Sequence, residues 1–479
     1  MSKLFHAISW SAIEKYSTQV FQFVISIIVA RILVPEDYGT IAIILAIVNV
    51  LSIINETGLG ASLIQKLDRD QLDYCSVFYT NIVMSLLLYS ILFLSAPFLE
   101  RFFNIVDLSI YLRIASLNLV INSFIIVPRT QFYINIDFKS QAMINFPSVF
   151  LSGLISILLA YYDYGVWSLI FQLLLANFFT LCFTWFFIKW RPELSFSFKR
   201  IIPLFNFAYK LILARLINTI FNQSYSIVIG KYFSPTLLGF FNRADSIKSL
   251  STNSITGLVQ RVSTPVLCNL QNNHKLMRET LMKFIICTAH IIFPLMCLIF
   301  ILSDSIIIIL LTEKWIKASF ILKILCPVGI LFVINTFNLN VFNATGKTNL
   351  ALKNEIYKKI FFVIILIISL NQGFTFLIIS QIFIALIELV FNTYFTYKQI
   401  KLNPISQIIA LKGVFFTSII MSFIVFLIAN QFENHYAKFI LSSFVGFLSY
   451  FIICWFSDVK YFRKIINMIW LNSKQYLES

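Results

Sequence analysis

Ala30-Arg31-Ile32-Leu33-Val34-Pro35-Glu36-Asp37-Tyr38-Gly39 is a short polar elbow between two long apolar runs. It recurs later in the chain as Gly230-Lys231-Tyr232-Phe233-Ser234-Pro235-Thr236-Leu237-Leu238-Gly239. Arg31 matches Lys231, Pro35 matches Pro235 and Gly39 matches Gly239, each at an offset of 200. Proline lacks an N–H and disfavours a helical residue before it, so each elbow is expected to stop one helix. Glycine then allows the next helix to start close against a neighbour. The elbow reads as a helix break rather than a binding site. A repeated elbow implies two copies of one helical bundle, with function expected between the copies.

The match extends outward. Lys15, Thr18, Gln22 and Ser26 follow one another at steps of three or four, which places them on one helical face. At the same offset stand Arg215, Asn218, Asn222 and Ser226. A second match, Asp163-Tyr164-Gly165 with Asn371-Gln372-Gly373, is a tight turn expected at the corresponding place in each half.

Composition sets the solvent. The 479 residues are 59% hydrophobic and 12% charged, with mean hydropathy +0.85, whereas soluble domains carry roughly 25% charged residues. Apolar runs of about 20 residues recur throughout, the length that crosses the hydrocarbon core. The spacing predicts an all-α polytopic membrane protein of about 14 spans. Its expected divisions are an N-terminal six-helix lobe over 1–190, a linker over 191–203, a second six-helix lobe over 204–400, and two extra helices with a tail over 401–479. The alternating ten-residue strands of a β-barrel are not seen.

The net charge of +16 fits a positive-inside bias. Loops such as 66–69, 189–200 and 275–278 carry most of the loop cations, and the opposite set, with Arg31, Arg101 and Lys231, carries far fewer. Both termini are therefore expected in the cytoplasm, with the elbows facing outward. The cations form no single face, so nucleic acid is not expected as a partner. The seven cysteines include no C-x-x-C pair and read as small apolar filler. The first apolar run carries Glu14, Lys15, Gln19 and Gln22, too polar for a signal peptide, and is expected to remain as the first span.

Charges at bilayer depth are the candidates for function, since each costs about 2.5–3.5 kcal/mol on insertion scales unless it meets a cavity or partner. Lys15, Gln22, Arg215, Asn218, Asn222, Arg243 and Asp245 would line a polar, net-basic cleft on the first, seventh and eighth spans. Internal pairing is the competing account, for instance Asp245 with Lys248. Arginine suits a phosphate because its planar fork grips two oxygens. Glu14, Glu56 and Glu388 are candidates for coupling to a Na+ or H+ gradient, and Asp304 is weighed with them. His290 reads as a packing residue, and Arg113 and Lys323 as side chains that snorkel to the interface. No Walker A loop, G-x-S-x-G or H-E-x-x-H occurs, so neither an enzyme nor a bound cofactor is expected.

The ordered set of short motifs resembles a known family. Elbow 30–39 followed by Gly58-Leu59-Gly60-Ala61-Ser62-Leu63-Ile64-Gln65 is similar to the opening of bacterial polysaccharide transporters of the Wzx type. Asp137-Phe138-Lys139, Gly165-Val166-Trp167-Ser168-Leu169, Trp190-Arg191-Pro192, Gly239-Phe240-Phe241-Asn242-Arg243-Ala244 and Ala344-Thr345-Gly346-Lys347 fit the same pattern. The resemblance covers residues 1 to about 400. It implies the fold of the multidrug/oligosaccharidyl-lipid/polysaccharide exporter superfamily. It also implies flipping of a polyprenyl-diphosphate-linked oligosaccharide across the bacterial cytoplasmic (inner) membrane, for lipopolysaccharide, capsule or exopolysaccharide. The implied partners are the lipid-linked oligosaccharide, membrane lipids, and a polysaccharide polymerase with glycosyltransferases. Relatives that flip peptidoglycan precursor have a more arginine-rich cleft. Here the second span is nearly apolar before Asn49, Ser52 and Glu56, which argues against that substrate. A drug-cation antiporter on the same fold, and a membrane-embedded polymerase, are the alternatives. The first would want an acidic cleft and the second a large external loop or an acidic pair on a loop.

Overall fold

The computed structural model describes residues 2–56 and 58–457, the side chains of 2–13, 56, 207, 210, 211, 343 and 348 excepted. The described residues hold helices and no strand. The first stretch of chain forms α1 (Ser2–Ile32), α2 (Pro35–Glu56), α3 (Leu59–Gln65), α4 (Gln71–Phe103), α5 (Leu108–Ala115), α6 (Leu117–Ile134), α7 (Phe138–Tyr161), α8 (Val166–Phe187) and α9 (Phe198–Tyr232). The remainder forms α10 (Pro235–Asn269), α11 (His274–Leu311), α12 (Lys317–Thr345), α13 (Thr348–Leu370), α14 (Phe374–Ile400), α15 (Pro404–Ala429) and α16 (His435–Phe456).

Ten segments are long and apolar enough to cross a membrane, with α2/α3 and α5/α6 each making one of them. Helices α1, α9, α10 and α13 are equally long but carry charges along their length, among them Lys15, Arg215, Arg243 and Lys358. The protein is a multi-pass helical membrane protein with ten candidate spans among the described residues, against about fourteen expected from the sequence; the four polar helices account for the difference. The four polar helices are not defects in the pattern. Three of them are the helices on which the sequence places a cleft.

Both elbows form as predicted. Helix α1 ends at Ile32 and α2 begins at Pro35, while α9 ends at Tyr232 and α10 begins at Pro235. Proline suits the first helical position because the N–H it lacks would be unbonded there anyway. Each elbow completes a different half of a capping box. In the first, Asp37 Oδ2 accepts from the Val34 N–H at 3.2 Å. In the second, Ser234 Oγ accepts from the Leu237 N–H at 3.2 Å.

The two elbows touch through their backbones. A Cβ at Gly39 would overlap the Pro235 carbonyl and lie 2.8 Å from Pro235 Cα. A Cβ at Gly239 would overlap the Pro35 carbonyl and lie 3.2 Å from Pro35 Cα. The expected close neighbour of each glycine is thus the other elbow's proline. Burial repeats with the sequence: Val29 and Ile229 are inaccessible, as are Ala30 and Leu238, with Tyr38 nearly so.

The chain divides into two compact units, Met1–Asn242 and Arg243–Ser479. In the first, α2 is central and packs on α5, α6, α8 and α9. Its residues Ile41, Ala42, Ile43, Ile44 and Ala46 are buried, and Gly230 of α9 makes room for the Ile43 side chain. Helix α1 lies on α7, where Gly153 receives Ile25 and Phe21 meets Phe146 edge-on at 4.9 Å.

The segment between α8 and α9, read from sequence as a linker, is fastened to α4. Trp190 Nε1 donates to Gln71 Oε1 at 2.7 Å, Tyr79 Oη donates to the Glu193 carbonyl at 3.1 Å, and the Ser197 N–H donates to Ser76 Oγ at 3.0 Å. The Trp190 ring packs against Phe78 and Trp185. Arg200, on the first turn of α9, pairs with Asp70 at 3.0 Å and with buried Asp73 at 3.7 Å, and Lys66 pairs with Asp73 at 2.5 Å.

In the second unit α11 is central and packs on α12, α15 and α16, with Ile285, Ala289, Ile292 and Met296 inaccessible. His290 Nδ1 and Tyr450 Oη lie 2.9 Å apart, so His290 is a packing residue, as expected, and helps hold α16 to α11. Helix α14 packs on α12 and α13.

Replacing Gly39 or Gly239 by valine forces a side chain into a backbone carbonyl, and overpacking of this kind costs about 1–3 kcal/mol. Each variant should melt several degrees below the parent in detergent by intrinsic fluorescence, while alanine at the exposed Val34 should leave the midpoint unchanged.

The Asp73 backbone N–H donated to Asp70, offset in part by burial and aided by Arg200 and Lys66, holds the Asp70 carboxyl below its usual range. A lowered carboxylate contributes stability above its unfolded value of about 3.9 and loses it as pH falls through the lower folded value. The Asp70→Asn variant should therefore be less stable than the parent at neutral pH, and the gap should close on acidification below about pH 4, read from paired melting curves.

Candidate functional site

Insertion cost makes the unpaired charge the informative one. On α9, a helix of 35 residues, Arg215 sits near the middle, about 25 Å from either end at 1.5 Å per residue. Arg215, Asn218 and Asn222 are exposed along the helix. Their side chains make no hydrogen bond or ion pair with any described residue. At that depth an unpaired guanidinium must reach water or an anion. The matching residues on α1 behave alike: Lys15 and Gln22 are exposed and their side chains likewise unbonded among the described residues. The remaining stripe positions turn inward. Thr18 Oγ1 donates to the Glu14 carbonyl at 2.6 Å, Ser26 Oγ donates to the Phe23 carbonyl at 2.8 Å, and Ser226 is buried.

The acidic candidates are engaged. Glu14 accepts from the side-chain amide of Asn145 on α7. Asp245 pairs with Lys248 at 2.5 Å and accepts from Ser249 Oγ at 3.3 Å, the internal pairing that the i,i+3 spacing allowed. Arg243, two residues before Asp245 on α10, is half-buried. Asp304 pairs with Lys323 at 2.8 Å, and Arg113 Nε donates to the Phe93 carbonyl at 3.2 Å with its guanidinium 4.4 Å from the Phe93 ring centre. The Glu56 and Lys210 side chains lie outside the described residues.

One polar helix went unnoticed in the sequence. Helix α13 buries Lys358, which is 7% exposed and pairs with Glu355 at 2.5 Å. Half-buried Glu388 of α14 stands across from Lys358 in the register that the Asn354–Asn392 hydrogen bond sets between the two helices. The signal was present as Lys353, Glu355, Lys358 and Lys359 at the start of a span, but charges near a span end pass for interfacial residues.

With the geometry in place, the comparisons carry weight. Residues 28–320, which include both elbows and the whole α9 stripe, match the family model described as "Polysaccharide biosynthesis protein". The chain belongs to that family. It is 26% identical over 331 residues to the succinoglycan biosynthesis transport protein ExoT of Rhizobium meliloti (strain 1021), covering 69% of this chain and 67% of that one. It is 28% identical over 307 residues to the teichuronic acid biosynthesis protein TuaB of Bacillus subtilis (strain 168), 62% of each chain. It is 21% identical over 367 residues to the lipopolysaccharide biosynthesis protein WzxC of Escherichia coli (strain K12), 75% of this chain and 74% of that one.

Among solved structures, the lipid II flippase MurJ in an inward closed conformation superposes with a TM-score of 0.75 at 16% identity, covering 95% of this chain and 99% of that one. An inward-facing multidrug resistance MATE family transporter superposes at 0.61 and 14% identity, covering 80% and 96%. These likenesses show the fold: two six-helix halves that repeat in sequence, with α15 and α16 added after them.

If the α9 stripe faces water, single cysteines at Arg215, Asn218 and Asn222 in a cysteine-free background should react with a polar maleimide in native vesicles. A cysteine at inaccessible Ile229 should not. Labelling yield by gel shift checks this.

Proposed function

We propose that this protein is a flippase that carries a polyprenyl-diphosphate-linked oligosaccharide across the bacterial cytoplasmic membrane by alternating access, with both termini in the cytoplasm. One observation carries the proposal: an arginine and two asparagines midway along α9, matched by a lysine and a glutamine on α1, whose side chains find no partner among the described residues. A diphosphate crossing the bilayer needs cations at depth, and Arg215, Lys15 and Arg243 would supply them. Sugar hydroxyls need amides, and Gln22, Asn218 and Asn222 would supply those. The lipid tail stays in the bilayer.

The names of the relatives support the substrate class: one is a succinoglycan transport protein, and others belong to teichuronic acid and lipopolysaccharide biosynthesis. A polymerase and glycosyltransferases would act before and after the crossing. The division into lobes at 1–190 and 204–400 describes the bodies that would rock. The reciprocal glycine–proline contact of the elbows would be the closed outer gate.

The superposition on a multidrug MATE transporter favours a second reading, a drug-cation antiporter. An exposed stripe whose charged members are cations suits an anion better.

Hydrogen bonds to charged groups contribute about 1.5–3 kcal/mol each. Arg215→Ala with Arg243→Ala should therefore cut transport by at least about tenfold. At matched expression, surface polysaccharide should fall and lipid-linked oligosaccharide should accumulate on the cytoplasmic leaflet. Normal surface polysaccharide in the double variant would overturn the assignment.

A further inference from the structure

The stripe on α1 and α9 leaves unexplained the charges between α13 and α14, of which Lys358 is buried and Glu355, Lys359 and Glu388 are half-buried. Lys358 lies about 15 Å along α13, and Glu388 about 18 Å from the C-terminal end of α14, so both are deep. Lys358 and Glu355 pair at 2.5 Å. Asn354 of α13 bonds Asn392 of α14, and one turn further along this antiparallel pair Lys358 stands across from Glu388. With all four ionised the group is neutral, which is how it is tolerated at depth.

A buried polar seam runs from this cluster to the C-terminal end of α14. Glu388, Asn392, Thr396 and Gln399 recur at steps of four, four and three, which puts them on one face. The last three are 1%, 0% and 4% exposed. Asn392 Nδ2 donates to Asn335 Oδ1 of α12 at 3.1 Å and Asn354 Nδ2 of α13 donates to Asn392 Oδ1 at 2.8 Å, while Thr345 Oγ1 donates to Gln399 Oε1 at 2.7 Å. Along the same seam Asn354 Oδ1, Thr396 Oγ1 and Gln399 Nε2 are buried with no hydrogen-bond partner among the described residues. Buried polar atoms are nearly always bonded, so three unused ones in a row mark a route that a hydrated proton can follow.

We propose that Glu388 is a proton-binding site, poised by Lys358 and Lys359 and reached from the C-terminal end of α14 along Asn392, Thr396 and Gln399. Taking up one proton changes the cluster from neutral to singly positive, which alters what holds α13 to α14. A metal cation is disfavoured, because two ammonium groups already supply the positive charge. The other elements packed on α14 also carry charged groups among their described residues, including Glu279 and Lys283 of α11. The charges of α12, Lys317 and Lys323, lie in its first turns, where Lys323 pairs with Asp304 of α11. Arg278 of α11 donates to the Ile400 carbonyl at the far end of the seam, at 3.0 Å, and α15, which also touches α14, brings Lys412.

This deepens the transport proposal, on which its role in coupling rests, but proton binding can be read without a substrate. Infrared difference spectra of the full chain in lipid nanodiscs, recorded as pH is stepped, should show a carboxylic C=O band that titrates. The band should vanish in Glu388→Gln. In Lys359→Gln it should remain, with its midpoint moved to higher pH by about one unit, because a cation that favours the ionised form is gone. Monodisperse elution of both variants establishes folding. A titrating band unchanged in Glu388→Gln, an unmoved midpoint in Lys359→Gln, or a band suppressed when choline is exchanged for Na+ would each overturn the proposal. None of these results depends on whether Arg215 and Arg243 carry a lipid-linked sugar.

Discussion

Hydrocarbon offers no hydrogen bonds, and that constraint orders this protein. Backbone groups answer it by forming helices throughout the membrane-crossing segments. Side chains answer it in two ways that separate structure from function. Asp304 with Lys323, Asp245 with Lys248, and His290 with Tyr450 are polar groups satisfied inside the protein. Lys15 and Arg215 find no such partner among the described residues. An unpaired cation at depth has to meet water or an anion, and on that ground these two residues are the ones proposed to meet the substrate.

The elbows meet the same constraint through geometry. Two helix pairs that must touch at their turns do so backbone to backbone, because each contributes a glycine where the other presents a proline carbonyl. Hydroxyl and carboxylate caps serve the amides left over at the two turns, one from Ser234 and the other from Asp37.

The fastening of the 188–197 segment shifts where flexibility can lie. Sequence composition marks this charged stretch as the link between halves. Yet Trp190, Glu193, Ser197 and Arg200 bind it to α4, and α9 packs on α2, α3 and α4. Polarity marks the stretch as a link, while its contacts hold it to α4.

Sequence alone determined the solvent, the helical membrane class, the repeat of the elbows and the depth of the candidate cations. Each of these follows from local pattern: run length, a proline and glycine at a fixed offset, and charge at a computed depth. Tertiary structure decided what pattern cannot encode, namely who partners whom. It gave Asp245 to Lys248 and Glu14 to Asn145, left Arg215 without a partner among the described residues, and set the two elbows against each other. It also exposed the α13–α14 cluster, whose charges look interfacial in one dimension and become a partly buried neutral group only when a second helix brings Glu388 across from Lys358. A charge at depth is legible from one helix, but its neutralisation requires two.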